Sequence, residues 1–432
     1  MSGAMLKEKR RIEKRAPELK PLRDVPYMGV IFVVAEASKL GYYGEHPDWC
    51  NLGQGMPEVG PLPGAPERVS RIDVAVPDHA YGPVQGLPEL RQAVADLYNH
   101  WFRKNKKSKY SKENVAVAAG GRIALSRAVA ALGPHNVGYF TPDYTAYEDM
   151  LGAFPGYTTV LIDLDAETGW SISPADLDRK IAREGLKSLV ISNPCNPTGR
   201  VVQGGELGEW VRLGRDRGCL LLMDEFYSHY IWPREGGLAK GPVSSAAYIE
   251  DVDRDPVVLF DGLTKNYRYP GWRVGWAVGP RSLIETLTCA GSFLDGGGPR
   301  PIQRAAVSMI APERAQSETM AMRAEFSKKR DLLVARLKQM GMTFPREPEG
   351  TFYGFASVAD LPPPLNDGFG FFRAALREKV ITVPGRFFDV NPGRKRTGPS
   401  RLDPYVRFSF GAPMPVVARG LDRLSQMIRR AR

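Results

Sequence analysis

The sequence predicts an α/β fold: a large domain with a mostly parallel sheet flanked by helices, plus a smaller α+β domain drawn from the N- and C-terminal parts. Three observations carry this reading. From about Asn114 to Gly279, short apolar runs alternate with amphipathic stretches, the pattern of strands buried on both faces and joined by helices. After about Pro312 the pattern changes to one long charged helix, then short strands and two more helices. A chain of 432 residues can fill two or three domain-sized cores, or one large α/β unit.

In order, "NVAVAAG" reads as a strand, "RIALSRAVAAL" as a helix, "NVGYFT" as a strand and "AYEDMLGAF" as a helix. "TTVLIDL" is a strand, "SPADLDRKIARE" a helix capped by Ser173, and "SLVISNP" a strand followed by a polar helix from about Gly205. "CLLLMDEFY", "PVVLFDGL" and "WRVGWAVG" complete the strands of the sheet. The long helix begins near Glu313 and stops at Gly341; "GTFYGFASV", a helix from about Phe369 to Lys379, "YVRFSFG" and a terminal helix follow. Near the start, "MGVIFVVAEASKL" is a short apolar helix expected to pack with the C-terminal part. The expected division is a basic, flexible tail over 1–25, a small domain from 26–75 and 312–432, and a large cofactor-binding domain over 76–311. "VNPGRKRTGPSRLDP" reads as a mobile polar loop.

Bulk properties exclude several classes. No run approaches the ~20 apolar residues of a membrane span, and "LKEKRRIEKR" near the start leads into no apolar signal segment. The cysteines Cys50, Cys195, Cys219 and Cys289 are scattered without metal-ligand spacing, so reduced thiols in a cytoplasmic protein are expected. The net charge of +11 raises nucleic acid as a partner, but much of the excess sits in two short runs, "KEKRRIEKR" and "RKNKKSKYSK", typical of solvated segments. Neither nucleic acid nor membrane is therefore expected as a partner.

Ligands in such sheets bind beyond the carboxyl ends of the strands, and there the sequence places polar residues. "SNPCNPTG" holds Asn196 between two prolines in a turn. Asp224 ends a nearly apolar run and needs a partner if buried, although a lone aspartate in this position is ordinarily a cap or half of a salt bridge. Tyr227 is three residues on. Lys265 sits in the turn after the next strand; alone it reads as exposed, but in a dry cleft a lysine loses proton affinity and can form a Schiff base. Arg273, eight residues further, offers a fork for phosphate or carboxylate.

Taken together and in this order, these residues resemble the fold-type I pyridoxal-phosphate enzymes, specifically the class I/II aminotransferase family. The matching segments are "NPCNPTG", "DEFY", "TKNYRYPGWRVG" and "YVRFSFG", and the likeness runs from about Pro26 over nearly the whole chain. It implies an aminotransferase-like large domain and pyridoxal 5'-phosphate as cofactor. Lys265 would bind the cofactor aldehyde and later shuttle the proton at the substrate Cα. Asp224 would pair with the protonated pyridine nitrogen, while Asn196 and Tyr227 would hydrogen-bond the phenolic oxygen. Tyr144, in "TPDYTAYEDM", would stack on the ring. The amides of Gly120, Gly121 and Arg122, at a helix N-terminus, would cradle the phosphate with Thr264 and Arg273. Tyr81 would reach the phosphate of a partner subunit, implying a homodimer with shared sites. Arg407 would bind the substrate α-carboxylate bidentately, with Asn196 beside it. "NLGQGMPE" resembles the loop of the kynurenine and glutamine transaminase branch, where Gly53 and Gly55 let backbone approach the substrate and Tyr27 or Tyr42 lines the pocket.

Two departures stand out. Gly262 occupies a position where the family has a phosphate-binding serine, so one hydrogen bond is lost or supplied by Arg122. In "GSFLDGGGPRP" there is no arginine in the register of a dicarboxylate receptor, although Arg300 is near; Asp295 there suggests a cationic or amino-bearing substrate. The expected function is transfer of an amino group between an L-α-amino acid and a 2-oxo acid. The alternative is a lyase, cyclase or oxidase reaction of an amino acid on the same scaffold. A cofactor-sensing transcription regulator is a third class, but only about 25 residues precede "VPYMGV", too few for a DNA-binding domain.

Overall fold

The computed structural model describes Val25, residues 27–44, 46–232 and 241–432. The basic tail expected over residues 1–25 lies, apart from Val25, outside the described residues. Twelve strands are formed among them: β1 Cys50–Asn51, β2 Val115–Ala118, β3 Asn136–Thr141, β4 Thr158–Asp163, β5 Leu186–Ser192, β6 Leu220–Asp224, β7 Val257–Gly262, β8 Gly275–Val278, β9 Tyr353–Ser357, β10 Val380–Ile381, β11 Val383–Pro384 and β12 Tyr405–Ser409.

The seven apolar runs from "NVAVAAG" to "WRVGWAVG" pair into one sheet of order β2-β8-β7-β6-β5-β3-β4. Only β8 runs antiparallel to its neighbours, β2 and β7; β3 to β7 are parallel. The apolar continuity of these strands has a direct cause. Along β7, Val257 and Leu259 enter one core and Val258 and Phe260 the other, so every position is buried on one face or the opposite one. Helices Gly121–Ala130, Ala146–Ala153, Pro174–Glu184 and Gly204–Arg217 connect the strands. Ser173 caps its helix as expected, accepting from the Asp176 amide at 3.1 Å.

The C-terminal strands form a separate antiparallel sheet, β11-β12-β9, with β12 central. The N-terminal segment joins this part of the molecule: β1 pairs in parallel with β10, and Phe32 of helix Gly29–Lys39 packs on Phe387 and Phe369. Helix Pro312–Gln339 carries the long charged stretch. The loop over residues 390–404, expected to be mobile, is instead pinned. Asn391 donates to Glu148, Arg396 pairs with Asp389 at 2.7 Å, and Arg401 pairs with Asp163.

Ser173→Ala removes a cap that nothing nearby replaces, and should lower stability in urea denaturation by about 1 kcal/mol without changing the slope of the transition.

Candidate active site

The carboxyl ends of β5, β6 and β7 open into one cavity of about 490 Å³. Its wall includes Gly55, Gly121, Arg122, Tyr144, Asn196, Asp224, Tyr227, Thr264, Lys265, Arg273 and Arg407, so the residues singled out on separate strand ends do meet. Gly120 adjoins it, packed on Arg273. Of the two tyrosines offered for the pocket, Tyr27 lines it, whereas the Tyr42 hydroxyl accepts from Asn51 elsewhere. Tyr81 does not line the cavity of its own chain and is 99% exposed.

Lys265 follows β7, and its partly buried amine donates to the Gly55 carbonyl. Burial pushes its pKa down to about 7; Arg122, Arg407 and Arg273 push the same way, while Asp224 partly offsets them. Asp224, last residue of β6, is buried. Its Oδ2 accepts from the Tyr147 hydroxyl at 2.6 Å and its Oδ1 from the Phe226 amide at 3.3 Å. Burial raises its carboxyl to about 6, and Tyr147, the Phe226 amide and Lys265 keep it from rising further.

A second cluster faces the amine from the other side. Gly120 precedes helix Gly121–Ala130 with φ +99°, and a Cβ there would lie 2.2 Å from Nη2 of Arg273, so only glycine fits. The unpaired first-turn amides of the helix, the Arg273 guanidinium and Thr264 thus form a cationic cup. Gly262 has a structural cause. It pairs with Gly275 across β7 and β8, and a Cβ on it would sit 2.5 Å from the Val274 carbonyl oxygen. No serine fits there without displacing β8.

Arg407, on β12, reaches in from the smaller sheet. Nη1 donates to Asn196 Oδ1 at 2.8 Å and Nη2 to the Gly53 carbonyl at 2.6 Å, while its buried Nε has no hydrogen-bond partner. Its guanidinium lies 4.1 Å from the centre of the Tyr353 ring. Tyr227 meets Tyr353 hydroxyl to hydroxyl at 2.7 Å.

Two residues here escaped the sequence reading. Tyr147 had a signal: it follows Tyr144 by three residues at a helix start and shares its side. Tyr353 had none, because its place depends on β9 pairing with β12, which aligns Phe355 with Arg407 and puts Tyr353 two residues along the same face. Asp295 corrects the expectation built on it. It does not line the cavity; both its oxygens are engaged by the buried Arg127, at 2.7 and 2.5 Å, so it offers nothing to a cationic substrate.

A mostly parallel sheet with a partly buried amine, a buried acid and an anion cup at its carboxyl edge defines a class of enzyme that works on amino and acidic groups of small molecules. Within that class, the chain belongs to the aminotransferase class I and II family, whose model matches residues 47–420. It is 28% identical over 364 residues to an aspartate aminotransferase of Sulfurisphaera tokodaii, covering 81% of this chain and 82% of that one. With the aspartate/prephenate aminotransferase of Thermus thermophilus it shares 26% over 425 residues, 98% of this chain and all of the relative. Among solved structures, the Thermus thermophilus aspartate aminotransferase with maleate superposes with a TM-score of 0.75 at 22% identity, covering 94% of this chain and 100% of that one. An aminotransferase from Mycobacterium tuberculosis gives 0.75 at 24%, covering 94% and 97%. The protein is a transferase that moves an amino group between an amino acid and a 2-oxo acid, as expected, and the lyase, cyclase and oxidase alternative is not favoured. No described helix is long and apolar enough to cross a membrane.

The Lys265 amine makes a pH-dependent prediction for ligand-free protein. Its folded pKa, about 7, lies below the ordinary 10.5. The cost of burying its charge is therefore fully present below pH 7 and disappears as pH rises toward 10.5. Lys265→Met should be more stable than wild type at pH 6.5 by roughly 3 kcal/mol, with the difference shrinking by pH 10. Urea titrations across this range check it; a difference flat in pH would count against the partly buried amine.

Proposed function

We propose that the cavity holds pyridoxal 5'-phosphate and that Lys265 is the residue bound to it. The observation that carries the reading is the placement of one partly buried amine between a cationic cup and a buried carboxylate in a single cavity. The residues fit on two further counts: Gly120 is of the one residue type that leaves the Arg273 guanidinium its place in the cup, and the Arg407 Nε–H is buried without an acceptor, which a substrate carboxylate would supply.

Bound there, the cofactor supplies an aldehyde for the amine and a ring that accepts electrons from the substrate Cα. The amides of Gly121 and Arg122, with Thr264 and Arg273, would hold the phosphate; the Gly120 amide is taken by the Ala118 carbonyl at 2.7 Å, and with Gly262 in place of a hydroxyl the Arg122 side chain would add a donor. Asp224, oriented by Tyr147, would pair with the pyridine nitrogen and keep it protonated. Asn196 and Tyr227 would donate to the ring oxygen, and Tyr144 would pack on the ring. Lys265, with a pKa near neutrality, takes and returns the proton at the substrate Cα. Arg407, held by Asn196 and Gly53, orients the α-carboxylate, with Gly55 backbone alongside.

The substrates are an L-α-amino acid and a 2-oxo acid. Relatives named for aspartate and prephenate make these the first pair to test, and Tyr27, Met28, Val30, Ile31 and Met56 give the cavity an apolar wall suited to a larger side chain. The chain works as a homodimer, Tyr81 serving the partner's phosphate; its near-complete exposure, beside Val76 at 84%, supports this. The smaller sheet and the β1–β10 pair support a small domain from 26–75 and 312–432 and a large one over 76–311. Four free cysteines support a reducing, cytoplasmic setting.

Protein loaded with pyridoxal phosphate should absorb visible light, and borohydride should fix the chromophore covalently to wild type but not to Lys265→Ala. Amino acids should bleach the colour and 2-oxo acids restore it; ammonia or peroxide release without restoration would instead favour elimination or oxidation. Arg407→Gln should keep the colour but raise KM for amino acids about 100-fold, from two lost charge-assisted bonds. A wild type that stays colourless sinks the assignment.

A further inference from the structure

We infer that Tyr353 is a positioning residue that orients the Tyr227 hydroxyl, donating to it so that Tyr227 in turn donates into the cavity. This rests on the cofactor reading above and concerns a residue that reading does not use.

Tyr353 is 1% exposed and Tyr227 7%, so neither hydroxyl is freely hydrated. Their oxygens are 2.7 Å apart, and either could donate. The rings of Tyr230 and Phe352 that pack on Tyr227 bring no hydroxyl to it, so the Tyr353 bond governs where the Tyr227 proton points. If Tyr227 donated to Tyr353, its proton would be spent there. If Tyr353 donates, the Tyr227 proton is free for an acceptor in the cavity, and the chain of two bonds strengthens that donation.

The surroundings decide the direction. Arg407 lies over the Tyr353 ring at 4.1 Å, and a cation on the π face draws electron density from the phenol oxygen. Burial raises both phenols and Arg407 holds both down, but for Tyr353 Arg407 is the first influence after burial, whereas for Tyr227 it comes behind the neighbouring Tyr353, which adds to the rise. Tyr353 is thus the stronger acid, and the stronger acid donates. The backbone holds it in place: β9 registers against β12, Ser409 opposite Tyr353, and a Cβ on Gly55 would lie 2.5 Å from the Tyr353 hydroxyl. Even a methyl group there would push Tyr353 away from its partner.

The test is the pH titration of the visible absorption of the loaded enzyme, a reading independent of turnover. A hydrogen bond from Tyr227 stabilises the deprotonated form of the chromophore. Tyr353→Phe, which keeps the ring over Arg407, should therefore raise the titration midpoint by about 0.3 to 0.6 units. It should change the affinity for a simple carboxylate such as succinate by less than about twofold. Tyr353→Leu, which also removes the ring, should raise the midpoint similarly and weaken succinate about tenfold through the lost cation–π contact. In a Tyr227→Phe background, Tyr353→Phe should move the midpoint no further. An unchanged or lowered midpoint in Tyr353→Phe overturns the inference, as does a shift that persists without the Tyr227 hydroxyl. A wild type that takes up no chromophore overturns the cofactor reading instead, so the two failures are distinct.

Discussion

The close approach of β7 and β8 at Gly262 and Gly275 sets the spacing on which the site depends. The turn after Gly262 carries Thr264 and Lys265, and the chain returns through Arg273 into Gly275. Gly275 in turn abuts the start of helix Gly121–Ala130, where a Cβ on it would meet the Gly121 amide nitrogen at 2.6 Å. Backbones packed this tightly leave the cup little freedom: the helix amides are main-chain groups, and the Cα atoms from which Arg273 and Lys265 extend are fixed by the same packing. The same packing leaves no space for a serine side chain at 262.

Charge then follows from placement. Three arginines bear on the Lys265 amine, and burial alone already disfavours its protonated form. An acid with no such setting would be ionised at neutral pH; Asp224, walled in by the sheet, sits near 6 and relies on Tyr147 and the Phe226 amide for stability as an anion. Amine and acid are thereby brought within about a unit of each other and of neutral pH, where a small change in local charge moves protons between partners. A cationic ring nitrogen beside Asp224 and anionic groups at Arg273 and Arg407 would each relieve an unfavourable term present in the ligand-free protein.

What could be read from sequence and what could not divides along physical lines. Lys265, Asp224 and Asn196 were legible because each follows an apolar run, and a parallel sheet sends all such ends to one edge. Ser173 was legible because capping is local. Tyr353 was not, since its role arises from β9 and β12 registering across about fifty residues of intervening chain. Asp295 misled for the same reason: nothing near it in sequence announced Arg127, 168 positions away, as its partner. The polar loop at 390–404 was misjudged from composition alone, because two of the acids that hold it, Glu148 on helix Ala146–Ala153 and Asp163 at the end of β4, belong to the other sheet and its connections.

The site also couples the two halves of the fold through a buried ionic cluster. Arg268, three residues after Lys265 and 0% exposed, donates to Glu318 of the long helix at 2.6 Å and to the carbonyls of Glu58 and Gly60. Glu58 pairs with Lys329 of the same helix at 2.5 Å. Such pairs add little net stability, because desolvation offsets most of their attraction, but a half-formed set is costly. That asymmetry favours one arrangement over near alternatives. The turn holding Lys265, the segment holding Gly53 and Gly55, and the helix leading to β9 are locked in one mutual register. The Lys265 amine meets the Gly55 carbonyl, and Arg407 meets the Gly53 carbonyl, because the cluster behind them admits few other positions for that segment.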